Sequence, residues 1–123
     1  MSTIIKHQSF NAQLVKHDIF NIAYHDNSTS TLADLTEGYN AFVSLSEGKP
    51  LKVLIEVGKS AYFDIEANEC VRDGKLIPKA EAIVTDSLAV RLVVDYYLFS
   101  RKHNHLVRIF KNRALALSWL NTI

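Results

Sequence analysis

At 123 residues the chain fits a single domain spanning 1–123, and a domain of this size buries roughly two-thirds of the surface its unfolded chain exposes. With 48% hydrophobic and 22% charged residues and only 2 Pro and 4 Gly, no segment has the composition of a disordered tail. No stretch is apolar for long enough to be a signal peptide or a membrane span, and the lone Cys70 has no partner for an intramolecular disulfide, so a reducing cytoplasm is the expected location.

The net charge of +1 is unevenly spread. Residues 96–123 hold no acidic side chain and carry Arg101, Lys102, Arg108, Lys111 and Arg113; residues 1–95 hold 13 acidic against 9 basic residues, a balance of −4. Such asymmetry can mark an acidic partner or a nucleic acid. Arg101 and Lys102 fall where a helix should end, however, and cations are favoured there by the helix dipole. The basic tail contains no nucleic-acid motif, so no nucleic-acid partner is expected.

In chain order, Phe10 to Leu14 alternate apolar with polar residues and Ile19 to Tyr24 are rich in strand formers, with His17 and Asp18 as the hairpin turn between them. A polar loop over 25–30 ends in helix-capping residues. A helix follows over about 32–45, with Leu32, Leu35, Tyr39, Phe42 and Val43 as its apolar face and Asp34 and Glu37 in the early turns. Gly48 ends it and Pro50 prevents continuation. Residues 52–57 form the clearest strand, apolar enough to be covered on both faces. Gly58 allows a sharp exit, Asp64 can cap a short helix over 65–72, and Asp73-Gly74 reads as a turn.

Residues 80–101 carry the most information. Ala82, Ile83 and Val84 make a compact buried strand, and Asp86 or Ser87 can cap the helix that follows. From 88 to 99 only Arg91 and Asp95 are charged, four apart on one stripe; Leu88, Ala89, Val90, Leu92, Val93, Val94, Tyr96, Tyr97, Leu98 and Phe99 are apolar or aromatic. A helix lying on a sheet needs an apolar face of roughly 100°. This one has far more, so a second surface must cover it. The assigned outward residues are Val90, Val94 and Tyr97. Residues 103–105 are then a turn, 106–110 a last strand, and Asn112 caps a final helix buried through Ala114, Leu117, Trp119 and Leu120.

The order β-β-α-β-α-β-α-β-α implies an α/β domain with a mixed, mostly parallel sheet, right-handed crossovers and an antiparallel N-terminal hairpin. The segments 82–87 with Arg91, 108–110, 116–120, and Gly48-Lys49-Pro50 before a Val-Leu-Ile strand resemble the SpoIIAA-like (STAS/SEC14-type) small bacterial proteins. That resemblance implies the STAS fold of anti-sigma-factor antagonists and a non-enzymatic regulatory module whose partner is a protein or a second copy, a homodimer. In antagonists a Ser or Thr in the loop after the third strand is phosphorylated by a partner kinase. The Asp-Ser-Ser-Gly-type motif is absent here, and Ser60 is the one aliphatic hydroxyl in the matching loop, 58–64. A phosphate on it would add roughly −1.5 to −2 charge beside Lys59. The SEC14-type label implies a second role, carriage of a small apolar ligand, with Tyr96 and Phe99 as lining residues.

Catalytic and metal signatures are not evident. His7, His17 and His25 lie in unrelated segments, and His103 and His105 stand without a Cys or carboxylate cluster, so neither a metal nor another cofactor is expected. No phosphate-binding Gly-rich loop, nucleophile elbow or Cys–His pairing appears.

Overall fold

The computed structural model describes residues 3–67, 78–100 and 105–123, and all that follows concerns these. The elements are β1 (Ile5–Lys6), β2 (Phe10–Lys16), β3 (Ile19–Tyr24), β4 (Thr29–Ser30), α1 (Leu32–Ser46), β5 (Lys52–Val57), β6 (Tyr62–Phe63), β7 (Ala80–Val84), α2 (Leu88–Ser100), β8 (Leu106–Phe110) and α3 (Arg113–Leu120). Six strands form one sheet in the order β1-β2-β3-β5-β7-β8, and β4 pairs with β6 in a small second sheet. The β1-β2-β3 pairs are antiparallel and the β3-β5-β7-β8 pairs parallel. The expected α/β architecture with its antiparallel N-terminal hairpin is therefore present, with three two-residue strands added. Residues 68–77, which hold Cys70 and the expected Asp73-Gly74 turn, and residues 101–104 lie outside the described residues.

Register assigns every strand residue to one of two faces. On the first, Phe10, Ala12, Phe20, Ile22, Tyr24 and Val53 pack beneath α1 with Phe42 and Ala41. Farther along the same face Ile83 packs with Val90 and Val94 of α2, joined by Ile55, Val57, Val107 and Ile109. On the opposite face Ile19, Leu54, Ala80 and Ala82 pack against Ala116 and Leu120 of α3. The alanines of β7 let α3 sit close to the sheet. Of the four residues expected to bury α3, Leu120 is fully buried and Leu117 and Trp119 half-buried, whereas Ala114 faces solvent and Ala116 takes its place.

Helix ends are fixed by side chains. Thr31 caps α1: its hydroxyl accepts from the Asp34 N–H while the Asp34 carboxylate accepts from the Thr31 N–H at 2.9 Å, a reciprocal capping box. These bonds hold the Asp34 carboxyl below its usual range, the Thr31 backbone bond being the largest cause. At the other end Glu47 and then Gly48 adopt left-handed conformations, φ 52° and 80°. The buried side of α1 is Asp34, Gly38, Ala41, Phe42 and Ser46; of the stripe expected from spacing Phe42 is buried and Leu35 half-buried, while Leu32, Tyr39 and Val43 are exposed. Gly38 explains the rotation. A Cβ there would come to 3.1 Å from Ile22 Cδ1, so the helix settles on the sheet through its one residue without a side chain.

Ser87 caps α2, accepting from the Val90 N–H at 3.3 Å, and Thr85 Oγ1 accepts from the Ser87 N–H. Asn112 caps α3 through the Leu115 N–H at 2.9 Å, as its sequence position implied. Asp64 Oδ1 accepts from the Ala67 N–H and caps a helical turn at residues 65–67; the rest of the helix expected over 65–72 lies outside the described residues.

Candidate functional site

α2 connects β7 to β8 and needs only a narrow apolar stripe to lie on the sheet. That stripe is Val90 and Val94, 8% and 9% exposed, with Leu98 beside them. At 100° per residue the opposite side carries Leu88, Ala89, Leu92, Val93, Tyr96 and Phe99. Its large members are exposed to the extent of 72% for Leu88, 60% for Leu92, 48% for Val93, 63% for Tyr96 and 91% for Phe99. Arg91 and Asp95, both exposed, lie together along one edge of this outer face.

The placement corrects the assignment of outward residues. Val90 and Val94 point at Ile83 and are part of the core, and Tyr97 is half-buried on the same side. The outer face is built from their neighbours instead. Tyr96 and Phe99, assigned to a ligand pocket, belong to that outer face too.

The loop after β5, where Ser60 lies, is tightly built. The Lys59 N–H donates to Asp26 Oδ1 at 2.7 Å and the Asn27 N–H to the Lys59 carbonyl at 2.7 Å. Ser60 is exposed with φ 56°, and Asn27 facing this loop has φ 59°. A left-handed serine costs roughly 1–2 kcal/mol, which the surrounding hydrogen bonds offset.

Three polar groupings, buried or half-buried, link packed elements. His7 Nδ1 accepts from the Ser9 N–H at 3.3 Å while Nε2 lies 3.7 Å from Asp34 Oδ1, and the His7 ring stacks on Phe10. This ties the short N-terminal strand to the start of α1. Asn21, 3% exposed, donates to the Leu54 carbonyl and to Glu56, whose carboxylate also faces Arg113 Nε at 3.6 Å. His105 Nε2 lies 3.2 Å from Glu81 Oε1 with both side chains nearly buried. Burial pushes the Tyr24 hydroxyl above its usual range, with the charges of Glu81 and Asp34 adding to the effect, so it stays protonated at neutral pH. Each grouping joins two packed elements. Among the described residues no group of three His, Cys, Asp or Glu side chains is placed to hold a metal ion, and no helix is long and apolar enough to cross a membrane.

A family model described as "Domain of unknown function (DUF7793)" matches residues 13–123. Among curated proteins none matches the chain. A solved structure from Shewanella loihica PV-4, titled as an uncharacterized protein from the DUF3478 family with a SpoIIAA-like fold, is similar over 98% of this chain and 92% of its own, with 18% identity and a TM-score of 0.57. At that identity the likeness carries the fold, and the SpoIIAA-like architecture expected from the motifs is the one found.

Proposed function

The chain belongs to the DUF7793 family and has a SpoIIAA-like fold, and on that footing we propose that it is a non-enzymatic regulatory module that works by docking the outer face of α2 onto another protein surface. One observation carries the reading: a helix already seated on its sheet turns five large apolar side chains, Phe99 above all, toward solvent. Monomeric proteins rarely expose a contiguous apolar patch beyond a few hundred Å², and larger ones commonly mark an interaction site. The His7–Asp34, Asn21–Glu56 and His105–Glu81 contacts, which link packed elements, support the same reading.

A second reading concerns Ser60. Its exposed position in a loop braced by Asp26 and Asn27 supports the role of a modifiable hydroxyl, a phosphate there adding negative charge beside Lys59.

Site-specific photo-crosslinking tests the docking face. A benzophenone amino acid at position 99 or 92, introduced into the chain in its native host, is expected to give a discrete covalent adduct. The same group at Glu37, an exposed residue of α1, is expected to give none. Absence of any adduct at both outer positions would remove the reading, and the adduct's mass distinguishes a second copy from a different protein.

A further inference from the structure

We propose that the surface covering α2 is α2 of a second copy of this chain, laid antiparallel across a two-fold axis level with Val93. The inference rests on the docking-face reading and names its occupant. Area, charge and fit support it independently.

Area comes first. At roughly 150–250 Å² for a large apolar side chain, the exposed fractions of Leu88, Leu92, Val93, Tyr96 and Phe99 amount to on the order of 700 Å² of uncovered surface. A stable protein–protein interface takes about 800 Å² from each partner. The apolar face therefore offers most of the area a dimer takes, and its charged edge adds to it.

Charge fixes the direction. Arg91 and Asp95 lie on the same edge of the apolar face, with the cation nearer the helix start. In an antiparallel pair the two-fold axis keeps that edge on one side of the seam and reverses its direction. With a rise of about 1.5 Å per residue, an axis level with residue 93 sets Arg91 opposite Asp95 of the partner subunit, and symmetry repeats the contact. A parallel pair would carry the two edges to opposite sides of the seam, where these charges never meet.

Fit follows from the same axis. Phe99, the most exposed large side chain of the helix, comes level with Ser87 of the partner subunit, one residue's rise from the partner's Leu88. Tyr96 comes within one residue's rise of Ala89 of the partner subunit, an aromatic ring beside a short side chain. One axis thus satisfies the charges and sets the Tyr96 ring beside a small side chain.

Sedimentation velocity from roughly 1 µM to roughly 1 mM tests this, a range that covers weak and moderate dissociation constants. The unaltered chain is expected to move from one chain mass toward two. Arg91→Asp and Asp95→Arg each place like charges face to face twice, and each is expected to raise the dissociation constant roughly tenfold. The double variant, with the charges exchanged, is expected to return to within about threefold of the unaltered chain, because each pair is then restored in reverse. Far-UV circular dichroism of each single variant establishes that it is folded. A single-chain mass at every concentration overturns the proposal, as does a double variant no tighter than the singles. If the chain stays monomeric while the group at position 99 still gives an adduct of another mass, the docking face stands and the second copy falls. If neither association nor adduct is found, both fall.

Discussion

Replacing Gly58 with alanine is expected to destabilise the fold by about 3 kcal/mol or more, read as a fall in the urea midpoint with unchanged slope. Gly58 ends β5 where the chain turns against the end of β3, and its N–H donates to the Tyr24 carbonyl at 2.9 Å. A Cβ built on it would lie 2.5 Å from that carbonyl oxygen and 2.7 Å from both Asp26 N and His25 C. All three are backbone atoms, so no flexible side chain can move aside. Relief requires separating the strand end from the 25–28 loop, which carries the Asn27-to-Lys59 and Tyr62-to-Ser28 backbone bonds and the Asp26 brace. Gly48 offers the contrast. Nothing lies within 4 Å of its virtual Cβ, and its cost on substitution comes only from φ 80°, about 1 kcal/mol. If Gly58→Ala costs no more than Gly48→Ala, the packed junction described above is wrong.

The second large effect is at Lys52. This lysine begins β5, is 5% exposed, and donates to the Leu120 carbonyl at 2.8 Å while pairing with Asp18 Oδ2 at 3.1 Å. It thereby satisfies the C-terminal end of α3 and holds that helix on the sheet. Lys52→Ala removes the charge, empties the space of its methylene stem and leaves Asp18 unpartnered, for an expected loss of about 3 kcal/mol. Lys52→Met loses the same polar contacts but keeps the stem among Ile19 and Leu120, and is expected to cost less, about 2 kcal/mol, because it leaves no cavity. The pair also makes a pH signature. The hydrogen bond from Lys52 holds the Asp18 carboxyl below its ordinary 3.8. A depressed carboxylate stabilises the fold at pH values above its unfolded pKa, and that contribution is lost as pH falls through the lower folded value. Unaltered protein should therefore lose stability on acidification from about pH 5 downward more steeply than Lys52→Met, whose Asp18 has no such bond. Equal acid slopes in the two proteins would contradict this account of Lys52.

Much of the fold was legible because strand and helix signals were separated by clear punctuation. Asn112 and Asp64 are short polar residues placed where free N–H groups begin, and they cap as their positions imply. The run 52–57, apolar but for Lys52 and Glu56, is the central parallel strand its composition describes. Facing was harder. On α1 the spacing of Leu32, Tyr39 and Val43 makes a convincing stripe, yet the helix turns to bring Gly38 against Ile22, and a missing side chain leaves no hydrophobic signal. On α2 the difficulty is the reverse. With ten apolar residues among twelve, periodicity carries almost no phase, so the sequence states that both sides must be covered without stating which side meets the sheet. Only the strand register, which turns Ile83 and Ile109 toward this helix, selects Val90 and Val94. Polar partners across the sheet, such as Lys52 with Leu120 or Glu81 with His105, are separated by 68 and 24 residues, and no local pattern connects them.

On the proposal above, the inner side of α2 belongs to the fold and its outer side to a second copy. Light scattering on Leu92→Lys beside Val94→Ala, at a concentration where the unaltered chain is a dimer, tests it most directly. Leu92→Lys is expected to stay folded at the mass of one chain, while Val94→Ala keeps the mass of two but unfolds at a lower temperature. A monomeric Val94→Ala with undiminished stability, or a dimeric Leu92→Lys, would contradict it.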